Sequence, residues 1–256
     1  MFIDTHTHLY SEEFNDDRDA MIERCLQAGI GHLYLPNVDS TSIEGMLALE
    51  AKYPEHCHAM MGLHPCSVNE TVEQELAIVK EWLGRRRFAA IGEIGIDLYW
   101  DKTFIEQQRH AFRTQIDWAL EQRYTIVIHC REAFDEIYSI LTSYTTLPKA
   151  IFHCFSGTLE QAHKILELGN FKLGIGGVVT FKNAGLDKVV EQIPLEYLVL
   201  ETDSPYLAPV PYRGKRNESA YLKLVAEKIA QIKQVSVEAV AEQTTKNAFA
   251  VFGNNA

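Results

Sequence analysis

The stretch TIVIHCREAFDEIYSILTSYTTLPKAIFHCFSG, residues 125–157, decides the fold. It opens on a β-branched run at 125–129, continues as an amphipathic segment over 132–143, passes Pro148 and returns to an apolar run at 149–153. Runs this short, rich in branched residues, suit strands, whereas the segment between them carries an apolar face at helical spacing. A strand, a helix and a strand in succession form a crossover unit, and a crossover leaves its two strands parallel. Both runs finish on an imidazole, His129 and His153, so the unit delivers two metal-capable side chains to one edge of a sheet.

Outward from this unit the same alternation recurs. Strands are predicted at 2–8, 32–36, 57–65, 88–94, 125–129, 149–153, 171–176 and 197–202. Helices are predicted at 16–29, 41–53, 70–84, 104–122, 132–143, 158–168, 185–191, 218–233 and 236–252. Eight strands alternating with helices in 256 residues predict an α/β chain folded as one (β/α)8 TIM barrel over 1–256, a single domain. A doubly wound open sheet is the alternative, but it would gather functional residues at one switch point. Here they are spread over strands 1, 4, 5, 6 and 8, which favours a closed barrel. SPYLAPVPYRGKRNE, 204–218, reads as a long loop after the last strand.

Composition narrows the function classes. With 46% hydrophobic and 23% charged residues, the chain is ordinary for a globular protein with a substantial core. No stretch approaches the roughly 20 apolar residues of a membrane span, and the N-terminus has no signal-peptide pattern. The 5 cysteines are odd in number and lack CxxC spacing, which predicts reduced thiols in a cytoplasmic protein. A net charge of −11 argues against a broad basic surface for duplex nucleic acid. It leaves a phosphate substrate open, because bound divalent cations reverse the local sign.

The strand ends carry the chemistry. His6 and His8 close the first run, Glu93 the fourth, His129 the fifth, His153 the sixth and Asp203 the eighth. In extended backbone, residues two apart face one way, so His6 and His8 can meet one ion, and Asp4 is in phase to orient a ligand. A lone strand-end histidine is more often a core residue, and Asp203 before Pro205 suits a turn. Six metal-capable side chains at the same end of five strands form a pattern that these separate readings do not explain.

THTH (5–8), GLHP (62–65), GEIGID (92–97), IHCR (128–131), FHCFSG (152–157), ETDSPYLAP (201–209) and RGKRNE (213–218) follow one another along the chain. In this order they resemble the TatD-related deoxyribonucleases of the amidohydrolase superfamily, end to end. One departure is Ser219, where family members commonly have proline after the Asn-Glu pair. The resemblance implies a TIM barrel that holds two divalent metal ions (Mg2+, Mn2+ or Zn2+) and hydrolyses DNA phosphodiester bonds from a 3′ end or at single-stranded regions. It implies His6, His8, Glu93 and Asp203 as ligands of one ion and Glu93, His129 and His153 as ligands of the other. Glu93 then bridges, and Asp203 doubles as the base that takes the proton of the attacking water.

Around these ligands, His64 and Arg131 are candidates for phosphate contact, and Glu201, two before Asp203, for a supporting or substrate hydrogen bond. Arg213, Lys215 and Arg216 are candidates for a positive rim. Cys130 and Cys154, each after a ligand histidine, are expected to point outward into the helix layer. Arg85 to Arg87 are read as surface at the opposite end, and His32, His56, His58, His110 and His163 as structural. DNA is the expected transient partner, with no membrane and no obligate protein partner. Hydrolysis of a small ester, amide or phosphoester, or of D-aminoacyl-tRNA, is the competing reading. Many barrels with that chemistry bridge their metals with a carboxylated lysine on strand 4, where this chain has Glu93. A non-catalytic metal protein is the third reading, and a structural zinc cage of four ligands does not need this set.

Overall fold

In the computed structural model, which describes residues 1–253, strands and helices alternate through the chain. The strands are β1 (Phe2–Asp4), β2 (Ile30–Leu35), β3 (Cys57–Ala59), β4 (Ile91–Asp97), β5 (Ile126–Arg131), β6 (Ala150–Phe152), β7 (Phe171–Ile175) and β8 (Leu198–Leu200). The helices are α1 (Arg18–Gln27), α2 (Ile43–Lys52), α3 (Val72–Arg85), α4 (Ile105–Gln122), α5 (Phe134–Thr142), α6 (Leu159–Glu167), α7 (Leu186–Gln192), α8 (Leu222–Lys233) and α9 (Val237–Phe252). Among the described residues, no helix is long and apolar enough to cross a membrane.

Every strand pairing is parallel, in the orders β1-β2-β3 and β4-β5-β6-β7-β8. Two seams join these sheets. At one, Ala89 N donates to Ala59 O at 2.9 Å and Met61 N to Ala90 O at 3.1 Å. At the other, Thr5 N donates to Leu200 O at 3.0 Å and His8 N to Ser204 O at 2.8 Å. Among the described residues the sheet therefore closes on itself as a TIM barrel, without a free strand edge.

Side-chain alternation builds two apolar layers. Ile3, Tyr34, Met60, Ala90, Val127, Ile151 and Val199 fill the lumen, and Ala248 and Val251 of α9 plug its lower end. Their strand neighbours, such as Ile126 and Ile128 beside Val127, face the helices and pack with Phe112, Ile137, Ile165 and Ile229. The lumen is thus a packed core, and the loops after the strands are left to carry function.

Three strands end earlier than the apolar runs predict. β1, β3 and β8 stop at Asp4, Ala59 and Leu200, short of the predicted ends at His8, Pro65 and Thr202. Beyond Ala59, Met60 N still donates to Leu35 O and Met61 N to Ala90 O, so the chain bonds alternately to two neighbours. The regular ladder is lost while the backbone stays satisfied. α8 also begins later than 218, because Ser219–Tyr221 forms a separate 3-10 turn ahead of it.

Candidate metal centre

Each polar residue at the mouth is set by its strand end. Asp4 is buried and receives Thr202 N at 2.9 Å, Thr202 Oγ1 at 2.6 Å and His6 N at 3.4 Å. It therefore orients the backbone of His6 and ties the β1 end to the β8 end. Burial pushes its carboxyl up to about 7 against these hydrogen bonds. Gly95 lets β4 approach β5 closely: a Cβ there would lie 2.0 Å from His129 O, and its φ of +147° is outside the range that side chains tolerate. Gly174 of β7 leaves space for the Glu201 carboxylate, which would lie 2.1 Å from an added Cβ.

Four donor atoms converge on one point. His6 Nε2 lies 3.3 Å from His8 Nε2, 3.0 Å from Glu93 Oε2 and 3.8 Å from Asp203 Oδ1. His8 Nε2 is 3.7 Å from Glu93 Oε2 and 3.6 Å from Asp203 Oδ1. Donors placed ~2.1 Å from a cation in tetrahedral array are separated by ~3.4 Å. The residues therefore fit one cation in size as well as in chemistry. The other oxygen, Glu93 Oε1, lies 2.8 Å from His129 Nδ1, 3.3 Å from His64 Nε2 and 3.7 Å from His153 Nε2. Glu93 thus offers one oxygen to each of two donor groups, the geometry a bridging carboxylate needs.

The outer nitrogens decide which inner ones present lone pairs, since a neutral imidazole has one donor and one acceptor. Tyr10 spends its hydroxyl proton on Pro36 O at 2.6 Å, so it accepts from His8 Nδ1 at 2.9 Å and leaves His8 Nε2 as a lone pair. Asp97 Oδ2 lies 2.8 Å from His129 Nε2, which frees Nδ1 for the centre. Glu201 Oε1 lies 3.0 Å from His153 Nδ1, which frees Nε2. His64 is arranged the opposite way: its Nδ1 accepts from Cys66 N at 3.0 Å, so its Nε2 carries the proton. It therefore points that proton at His129 Nδ1 and Glu93 Oε1, each 3.3 Å away.

The electrostatics ask for positive charge. Burial opposes protonation of His153, but Glu201, Glu93 and Asp203 overcome it and push its pKa up to about 10. His6, stacked on His153 with ring centroids 3.4 Å apart, is held down by burial and by that neighbour. Burial works against ionisation of Glu93 and Asp203, yet the surrounding imidazoles hold both carboxyls below the usual range. Asp97 sits at about 2, where the hydrogen bonds from His129 and Tyr99 outweigh its burial.

All six strand-end residues come together, and His64, expected as a phosphate contact, lies against Glu93 and His129. Arg131 lies on the rim with its guanidinium 3.8 Å from the centre of the Tyr99 ring. Arg213 lies over Phe181 at 4.4 Å, and Lys215 is exposed. Arg216 is taken up by Asp17, at 2.7 and 2.8 Å, and by Glu13 O. Cys130 packs on the helix layer as expected. Cys154 does not: its φ of +47° turns it inward, where its thiol groups with His153 and Glu201. Asp97 and Tyr10 were not singled out from the sequence. Asp97 is in phase with Glu93, and Tyr10 with His6 and His8, so extending the period-two reading would have found both.

The family model described as TatD related DNase matches residues 3–253. An uncharacterised metal-dependent hydrolase of Bacillus subtilis, YabD, is 38% identical, with 100% of both chains covered. The 3′-5′ ssDNA/RNA exonuclease TatD of Erwinia billingiae is 32% identical over 97% of this chain and 98% of its own. Among solved structures, the Escherichia coli TatD homologue YjjV superposes with a TM-score of 0.92 at 29% identity, covering 98% of this chain and 97% of that one. The chain belongs to the TatD-related DNase family and is a metal-dependent hydrolase.

Proposed function

We propose that this chain is a divalent-metal-dependent deoxyribonuclease that removes nucleotides from the 3′ ends of single-stranded or mismatched DNA in the cytoplasm. The observation that carries the reading is the buried Glu93, with one oxygen in each of two donor groups. A mouth lined by imidazole and carboxylate suits a phosphodiester, whose charge needs neutralising on both sides of the scissile bond. His6, His8, Glu93 and Asp203 would hold one ion, and Glu93, His129 and His153 the other, with Mg2+, Mn2+ or Zn2+ as occupants. Bound there, two such ions supply Lewis acidity and charge neutralisation for the in-line displacement.

The residues of the chain do the rest. Asp203, kept ionised by its histidine neighbours against burial, accepts the proton of the attacking water. His64 points its Nε2 proton at Glu93 and His129 and helps to orient the Glu93 carboxylate. Asp97, Glu201 and Tyr10 lock the orientation of His129, His153 and His8. Arg131, Arg213 and Lys215 give the acidic chain local positive charge at the rim. Arg216 acts indirectly, by bracing the loop after β1.

The test is incubation of a 3′-overhang oligonucleotide with the purified protein and Mg2+ or Mn2+, with EDTA and Asp203→Asn as controls. Stepwise, metal-dependent release of 3′ nucleotides is expected. Inert DNA together with cleavage of small esters or D-aminoacyl-tRNA would overturn the reading.

A further inference from the structure

Two aromatic rings are left in the open beside the metal centre. Tyr99 and Trp100, immediately after β4, are 49% and 72% exposed. Their rings meet edge to face, with centroids 4.8 Å apart and planes at 88°. The guanidinium of Arg131 lies 3.8 Å from the centre of the Tyr99 ring and 5.3 Å from that of Trp100. Among the described residues Arg131 makes no salt bridge, whereas Arg24, Arg86, Arg109 and Arg216 are each paired with a carboxylate. A Trp and a Tyr left largely in water together, with an arginine held over them, need a ligand to explain them.

Their attachment connects them to the centre. Tyr99 N donates to Asp97 Oδ1 at 2.9 Å, and the other oxygen of Asp97 holds His129. Leu98 N donates to Arg131 O at 3.0 Å, and Arg131 follows His129 by two residues on β5. The aromatic pair is therefore braced by the same residues that orient a proposed ligand.

We propose that Tyr99, Trp100 and Arg131 form a stacking subsite for a nucleobase of single-stranded substrate. The inference rests on the nuclease reading. Every base has a π face, so a ring platform grips a strand whatever its sequence, and an adjacent guanidinium adds attraction for the neighbouring phosphate. Duplex DNA keeps its bases stacked on one another, so the platform selects frayed or single-stranded ends. It also supplies affinity that the overall charge of −11 does not.

The test uses the metal-loaded protein and an oligothymidylate. Trp100→Ala is expected to raise KM about tenfold with kcat nearly unchanged, and Tyr99→Ala to act in the same direction. Tyr197→Ala, at an exposed tyrosine before β8, serves as the control and leaves both constants unchanged. Wild type is expected to lose a similar factor when an abasic residue is moved into the subsite, and Trp100→Ala to lose nothing further there. Equal KM values for wild type, Trp100→Ala and Tyr99→Ala would overturn the proposal, as would undiminished abasic discrimination in Trp100→Ala.

A second readout is independent of turnover. In the Asp203→Asn background, oligothymidylate is expected to quench tryptophan fluorescence, and Trp100→Phe to abolish the quenching. If wild type cleaves no DNA, the nuclease reading fails, while this titration still decides the subsite. Absence of quenching overturns the subsite alone and assigns the patch to another kind of partner.

Discussion

Histidines gather at both ends of this barrel, and the two gatherings differ in what surrounds them. At the lower end His32, His56 and His58 meet on the starts of β2 and β3. His32 Nδ1 lies 2.8 Å from His58 Nε2, and His56 Nδ1 is 2.9 Å from Gly31 O. The ring of Phe249 closes over His32, so these imidazoles satisfy one another inside an apolar setting. Burial first, then its histidine neighbours, depress His58 to about 4. At the mouth, Glu93 and Asp203 stand among the imidazoles, and His153 is pushed the other way, to about 10. Clustered histidine alone builds a packing contact. Buried carboxylates between histidines, with polar groups facing the outer nitrogens of His8, His129 and His153, make an arrangement suited to a cation.

The largest effect that sharpens this contrast is on activity. Asp203→Asn, or Glu93→Gln, should lower metal-dependent hydrolysis ~10³-fold, while His58→Gln at the other end leaves kcat and KM unchanged. Calorimetric titration of metal should show two ions bound by wild type and at most one by Glu93→Gln. Equal loss from both ends of the barrel would break the comparison.

A stability effect comes next, with its sign set by the lower cluster. His58 is depressed from 6.5 to about 4, so below pH 6.5 the unfolded chain takes up a proton that the folded chain refuses. That contribution to stability is present above pH 6.5 and is lost as pH falls towards 4, amounting to at most about 3 kcal/mol. The difference in urea midpoint between wild type and His58→Gln should therefore change over this window and stay constant above it. A constant difference throughout would remove the lower cluster's titration from the account.

The outer carboxylates and the tyrosine should matter less than the ligands. Asp97→Asn, Glu201→Gln and Tyr10→Phe each disturb the partner of an outer nitrogen and should weaken metal affinity roughly 10- to 100-fold, read as the metal concentration for half-maximal activity. The smallest effect should come from Arg216→Ala, which leaves Asp17 to Arg24 alone and removes a partly exposed ion pair worth about 1 kcal/mol or less. Its signature is a small drop in Tm, with the metal requirement unmoved.

The barrel was legible because its signals are local. Val127 between Ile126 and Ile128 reads as a strand from three consecutive residues, and the strand-helix alternation around it repeats along the chain. The six converging side chains were legible for the same reason: His6 and His8 share a phase, and Glu93, His129, His153 and Asp203 each follow an apolar run. The run after β3 reads as strand because Met60 and Met61 are buried like strand residues, yet they bond to two different neighbours. Cys154 was misread because strand alternation stops at the positive φ of that residue.

By itself, then, the sequence determined the architecture, the six converging side chains and the family, since periodicity and residue type need no distant partner to be read. Only the tertiary structure decided how those side chains face one another. The orientation of His129 depends on Asp97 of another strand, that of His153 on Glu201, and that of His8 on Tyr10 and the carbonyl of Pro36. It is the same with His64, which resembles the other histidines in the sequence and differs from them because one backbone N–H, that of Cys66, occupies its outer nitrogen. A proton's place on an imidazole is set by whichever group lies across the fold from it, and that is known only once the barrel has closed.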